Sequence, residues 1–313
     1  MIGGDTPPSP PDIRVSAPAS SANLGPGFDS LALALEMRNT IDLWRQSSGE
    51  PRIIAVEGEG ARDLARDPSN MVLRAMRTLA DQAGRVLPPF VLRLCNEVPL
   101  GRGLGSSAAA IAGGLVAAAA LLDLPGDPQS LLSAALSLED HPDNVAAALW
   151  GGFTVGVLDR GRPCIVHLQP PPELSAVVLI PSGFSSTLES RQTLPERIPR
   201  ADAIFNGGRC ALLALALSQG RWGLLGVAMQ DRLHQPWRTA GFPYLEEAIA
   251  AAIEAGAHGA ALSGAGSSVI ALSTDHQGAI AKALADVAGR HGIAARTAHL
   301  RVALRGAYRV APA

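Results

Sequence analysis

The chain has 313 residues, which at roughly 150 residues per domain predicts two domains with interior enough to fold without disulfides or structural metals. An apolar fraction of 47% matches ordinary globular proteins, and 26 Lys+Arg against 28 Asp+Glu, a formal charge of -2, leave no cationic surplus for nucleic acid. Cys95, Cys164 and Cys210 form neither a CxxC pair nor a Cys/His cluster, so a disulfide scaffold and a thiolate metal centre are excluded and free thiols in a reducing, cytoplasmic compartment are expected.

Residues 1–12 read as a flexible tail, lacking the basic and apolar regions of a signal peptide. Strands are predicted at 13–15, 40–44, 53–56 and 90–94, where β-branched and aromatic residues lie between Gly, Pro or charge. Asn70 is the expected N-cap of an amphipathic helix carrying Met71, Ala75, Met76 and Leu79 and ending near Gly84. An Ala-rich helix at 106–122 follows, then one at 128–138, then a third with Pro142 in its first turn. Residues 103–122 are uncharged over about the length of a bilayer span, but their Gly, Ser and Ala suit a helix buried in a domain, so no membrane span is expected. Strands at 152–158, 164–168 and 176–181 come next, with Pro170-Pro171-Pro172 as the linker candidate. Helices are predicted at 187–194, 201–218, 221–233, 243–255 and 276–290, and strands at 259–263, 268–272, 295–303 and 306–310. This mixture without parallel repetition indicates an α+β protein.

Four segments carry chemistry. Pro99-Leu100-Gly101-Arg102-Gly103-Leu104-Gly105-Ser106-Ser107-Ala108-Ala109 leads a strand through three alternate glycines into a helix. Such a loop lets backbone N–H groups converge where the helix dipole is positive, which suits a phosphate, and either serine hydroxyl can also hold Mg²⁺. A turn kept small so that the helix packs close to its sheet has the same signature. The segment is neither a P-loop, which needs a lysine, nor GxGxxG, since Ser106 follows Gly101 and Gly103. Leu262-Ser263-Gly264-Ala265-Gly266-Ser267-Ser268 alone reads as a hairpin turn, and becomes a small-molecule site only if it shares a cleft with the first loop.

The cluster Glu139-Asp140-His141-Pro142-Asp143-Asn144 serves either as a helix cap or as an acidic site. With a single His it favours Mg²⁺ over zinc. Lastly, a strand leaves Ser16 into what reads as an irregular loop of small residues, either ordinary surface or a site holding Asn23 and Asp29.

Together the segments SAPASSANLGPGFDSLALAL, VPLGRGLGSSAAA, EDHPDNVAAALWGGF and LSGAGSSV resemble the GHMP family of small-molecule kinases, in the family's order and across about 13–310. The resemblance implies a two-domain α+β fold. Residues 13–170 would form an ATP-binding domain with a left-handed βαβ crossover, against the usual rule, and 171–313 a ferredoxin-like domain. It also implies a homodimer, without nucleic-acid or membrane partners, that uses ATP and Mg²⁺ to phosphorylate the side-chain hydroxyl of L-homoserine in threonine biosynthesis.

Carried over position by position, the eleven residues from Pro99 to Ala109, with Gly264 and Gly266, are implied to hold the triphosphate, and Ser106 and Glu139 to bind Mg²⁺. Asn23, Asp29, His141 and Asn144 are implied to be the catalytic residues of the amino-acid site, joined by Thr187 and Arg191 from TLESR and Arg238 from DRLHQPWR. Chemistry asks for the same types: Asp29 can take an ammonium, and an arginine can take a carboxylate through a bidentate fork. Orientation of the hydroxyl, rather than its deprotonation, is the expected role of Asn23, Asp29 and His141.

Departures from the family's pattern are Asp140 in place of Gly and Ala147 in place of Pro, and Arg232 competes with Arg238. Lys282, the sole lysine, lies outside every motif, so phosphate neutralisation is left to N–H groups, Mg²⁺ and arginine. The alternatives are a GHMP kinase for mevalonate, a sugar or shikimate, which ANLGPGFDS and HPDN argue against, and a nucleotide-binding regulator without turnover, which both intact loops and Glu139 argue against.

Overall fold

Two long strands organise the first half of the chain. The structure, a computed structural model, describes residues 9–183 and 192–311. In it β1 (Ile13–Asn23) and β2 (Gly27–Arg45) pair antiparallel from Ile13↔Leu43 to Asn23↔Gly27. Residues 16–23, expected as an irregular loop, instead continue β1. Their small side chains let neighbours close on both faces: Ala17 and Ala19 enter one apolar cluster, Ala22 packs with Ala32, Ala34 and Ala147, and Ser20 and Ser21 are fully buried.

β3 (Arg52–Gly58) and β4 (Phe90–Asn96) are parallel neighbours joined by α1 (Met71–Gln82). The Asn70 side chain accepts from Val72 N at 3.0 Å, as its capping role requires, and Ala75, Met76 and Leu79 are buried while Met71 is partly so. α2 (Ser106–Leu122), α3 (Pro128–Leu136) and α4 (Pro142–Trp150) complete this layer over Ile13, Val15, Ile41, Leu43, Leu92 and Leu94. Gly113 and Gly114 set how close α2 lies. A Cβ there would come within 2.8 Å of the Ile41 side chain and 2.7 Å of the Val72 carbonyl. The hairpin of β5 (Phe153–Asp159) and β6 (Arg162–Leu168) pairs with β2.

β7 (Ser175–Pro181) opens a second sheet and is buried along its whole length. Between β7 and β8 (Gly259–Leu262) run α5 (Arg200–Gln219), the single turns α6 (Leu225–Ala228) and α7 (Gln235–Arg238), and α8 (Leu245–Glu254). β9 (Val269–Ser273), α9 (Gln277–Arg290) and β10 (Ala295–Arg301) follow. The strand order β10-β7-β9-β8, all antiparallel, is the ferredoxin-like βαββαβ arrangement. Val177 and Leu179 face a core with Leu245 and Leu284, whereas Ala176, Val178 and Ile180 share a core with Leu31 and Leu33 of β2, so one interior joins the two sheets. The chain then returns to the first sheet, where β11 (Tyr308–Arg309) pairs with β1.

The helix expected at 221–233 is replaced by a 3₁₀ turn at Trp222–Leu224, the short α6, and irregular chain up to α7. Gly223 and Gly226 weaken a helix there. Asp231 accepts the N–H groups of Leu233, His234 and Gln235, taking the place of helical carbonyls. The helical pattern at 187–194 lies, up to 191, outside the described residues. No helix among the described residues is long and apolar enough to cross a membrane.

Candidate active site

Gly101, Gly103 and Gly105 all have positive φ, at 61°, 72° and 67°, which turns the chain sharply from β4 into α2. The loop meets the second glycine turn directly. Ser263 Oγ donates to Gly103 O at 2.6 Å and lies 2.8 Å from Ser21 Oγ, and Ser268 N donates to Arg102 O at 3.2 Å. A Cβ on Gly103 would sit 2.0 Å from Ser263 O. Gly103→Ala is therefore expected to force the loops apart at a cost of roughly 1–3 kcal/mol, lowering Tm and raising KM for ATP about tenfold. Unchanged Tm and KM in calorimetry and steady-state kinetics would show that the approach is dispensable.

Below this junction is a cavity of about 120 Å³ lined by Gly101, Gly103, Gly105, Ser106, Ser107, Ala108, Glu139, Asn144, Gly264 and Ala265. The first-turn N–H groups of α2 have no intrahelical acceptor, and that turn carries no acidic residue, so the cavity is electrostatically suited to an anion. Two wider cavities, about 600 Å³ beside Glu59 and Arg296 and about 530 Å³ beside Trp150 and Tyr308, are lined by neither glycine loop. The remaining loop residues serve the frame. Pro99, Leu104 and Ala109 are buried, Leu100 is partly so, and the Arg102 guanidinium bonds the carbonyls of Leu100, Pro181 and Ser182. Gly266 N donates to Ser263 O, which shapes the second turn.

Ser106 and Glu139 share the cavity as a hydroxyl and a carboxylate, a hard oxygen pair that fits Mg²⁺ retaining several waters. Among the described residues no group of three or more His, Cys, Asp or Glu could cage a metal, so a closed protein-only site is not built.

The residues expected to line an amino-acid site gather at the β1–β2 turn and the start of α4. Asn23 and Asp29 both hold positive φ, 69° and 56°, conformations disfavoured for most non-glycine residues. Asn23 Oδ1 accepts from Asp29 N at 3.1 Å while Asn23 Nδ2 donates to Gly264 O at 2.9 Å, which fixes the turn against the second glycine loop. His141 occupies the N-cap position of α4 but makes no capping bond with its side chain, and its Nδ1 lies 3.7 Å from Asp29 Oδ2. Asn144 receives Ser20 Oγ on its Oδ1 at 2.8 Å. Arg238 is 3% exposed and donates from Nη1 to the same Gly264 carbonyl at 3.1 Å, whereas the Arg232 side chain is 51% exposed and pairs with Asp202 at 3.3 Å. Arg238 thus lies buried against the second glycine turn, whereas Arg232 is held at the surface by Asp202. Thr187 and Arg191 lie outside the described residues.

Sequence reasoning missed Ser20, Ser21 and Ser263, which tie the two loops and α4 together, and the buried network of Asn206, Asp231 and His234 behind Arg238. The DRLHQPWR segment contained the last two, and the i,i+4 spacing of His234 and Arg238 was the available signal. Lys282 pairs with Asp286 at 2.6 Å on the exposed face of α9. Lys282→Ala is expected to leave kcat/KM within a few-fold, and a hundredfold loss, about 2.7 kcal/mol of transition-state binding, would place the nucleotide elsewhere.

Family models for the GHMP kinases N terminal domain and the GHMP kinases C terminal match residues 70–152 and 213–290. The chain belongs to the GHMP kinases, ATP-dependent enzymes that phosphorylate an alcohol group. It is 45% identical to the homoserine kinase of Deinococcus radiodurans over 287 residues, 91% of this chain and 92% of the other, and 40% identical to that of Desulfitobacterium hafniense over 296 residues, 94% and 99%. Within the family it therefore falls among the homoserine kinases. The crystal structure of homoserine kinase from Cytophaga hutchinsonii superposes with a TM-score of 0.88 at 30% identity, covering 95% of this chain and 97% of that one. The L. major mevalonate kinase shares the fold at a TM-score of 0.71 and 16% identity, covering 94% of this chain and 98% of the other.

Proposed function

We propose that the cleft transfers the γ-phosphoryl group of ATP to the side-chain hydroxyl of L-homoserine, giving O-phospho-L-homoserine for threonine biosynthesis. The observation that carries this reading is the Gly264 carbonyl, on which Asn23 from the β1–β2 turn and Arg238 from α7 converge beside the anion-binding cavity. In this reading Asp29 takes the ammonium of the substrate and Arg238 its carboxylate, which leaves the side-chain hydroxyl directed at the glycine loop.

The hydroxyl oxygen forms a bond to phosphorus as the bond to ADP breaks, and the proton leaves to solvent. Because that transition state is loose, positioning by Asn23, His141 and Asn144 and N–H groups aimed at the phosphoryl oxygens supply most of the rate. Ser106 and Glu139 are the residues that would hold Mg²⁺, which neutralises phosphoryl charge when bound. A cytoplasmic homodimer is part of the proposal, and light scattering measures the assembly.

A coupled ADP assay over hydroxy amino acids, sugars, shikimate and mevalonate tests the reading. Turnover confined to L-homoserine is expected. Preference for mevalonate, shikimate or a sugar would move the chain to another GHMP activity, and ATP binding without turnover on any substrate would make it a regulator.

A further inference from the structure

We infer that His234 is a positioning residue for the reaction, its Nδ1 lone pair holding the Arg238 guanidinium in the amino-acid site while its Nε2–H clamps the β1–β2 turn. The inference rests on Arg238 being the carboxylate-binding arginine of the proposed function. His234 Nε2 is 2.8 Å from Gly25 O, and a carbonyl only accepts, so the ring donates there. Its Nδ1 is 3.0 Å from Arg238 Nη1, and a guanidinium only donates, so Nδ1 must present a lone pair. The two partners together fix one neutral tautomer.

The surroundings keep the ring in that state. It is fully buried, and burial pushes its pKa below the usual histidine value against the opposing pull of Asp231 at 3.6 Å, while Arg238 adds to the downward push and Asp29 to the upward one. Phe28 stacks on the ring at 5.2 Å between centroids. The Asp231 carboxylate accepts the N–H of His234 and the amide of Asn206, whose Nδ2 also donates to Pro26 O, so the turn is gripped twice. His234 is the N-cap of α7 and Arg238 its last residue, an arrangement that places the Arg238 Nη1 between Gly264 O and the ring. A group that acts through another in this way fixes its rotamer before substrate arrives.

Two isosteric variants separate the two ring nitrogens. An asparagine oxygen falls near the place of Nδ1, and a glutamine amide falls near that of Nε2. His234→Gln is expected to raise KM for L-homoserine about tenfold, with KM for ATP and kcat within about twofold, and His234→Asn to stay within about threefold of the parent in KM. In an Arg238→Ala background His234→Gln adds nothing. Equal KM increases in both variants, or a Gln effect that persists without Arg238, would overturn the inference. Nitrogen-15 NMR of histidine-labelled parent protein provides a test that needs no folded His234 variant: a proton on Nε2 and an Nδ1 signal that shifts in Arg238→Ala are expected, and a proton on Nδ1 refutes the idea. Should Arg238→Ala leave KM for L-homoserine unchanged, the carboxylate assignment fails, while the NMR result still decides whether His234 holds Arg238.

Discussion

Glu139→Gln is expected to lower kcat by roughly a hundredfold or more, at least about 2.7 kcal/mol of activation free energy, while the protein stays folded. Glu139 lines the cavity formed by the glycine loop and the start of α2, as does Ser106. Its side chain is partly exposed, so glutamine keeps the shape and removes only the charge. Charge is what a divalent ion needs here, because Ser106 contributes a neutral oxygen and the N–H groups of the loop repel a cation. The loss should grow at low Mg²⁺ and recover partly at high Mg²⁺, which distinguishes a weakened metal site from a damaged phosphate loop. Near-parent kcat at limiting Mg²⁺ in a variant with unchanged Tm would remove Glu139 from the metal site.

The second large effect concerns substrate identity. Arg238→Ala is expected to raise KM for L-homoserine about a hundredfold and to matter little for the amino alcohol that lacks the carboxylate. Arg238→Lys should rescue poorly, since an ammonium cannot reproduce two parallel hydrogen bonds, nor at the same time hold Gly264 O and His234 Nδ1 as the guanidinium does. The measurement is kcat/KM for the parent, Arg238→Ala and Arg191→Ala on both substrates, set out as a cycle so that deleting the arginine and deleting the carboxylate are compared. Losses that simply add for both arginines would mean that neither touches the carboxylate. The anion-binding role would then pass to backbone N–H groups near Asn144.

Sequence by itself determined the local elements and the identity of the chemistry. The Asn70 cap, the Ala-rich α2, the proline starts of α3 and α4 and the three alternate glycines are set by neighbours a few residues apart, and hydrophobic period and capping report such neighbours directly. The ANLGPGFDS and HPDN segments likewise marked out the member of the family through their resemblance to its motifs. Only the tertiary structure decided that Ser16–Ser21 lie in a strand, that the chain breaks at 229–234, and that Arg238 rather than Arg232 is buried against the Gly264 turn.

Each of these depends on partners far away in the chain. Small residues read as a loop become a strand when Ala32, Ala34 and Ala147 close around them, and Asp231 captures backbone N–H groups that a helix would have used. The two glycine loops look alike in sequence, but their meeting depends on the Ser263 hydroxyl reaching Gly103, 160 residues away, which no local pattern encodes. Long-range hydrogen bonds are made only after the two sheets have packed on their common core, and that is why they lie beyond the reach of periodicity.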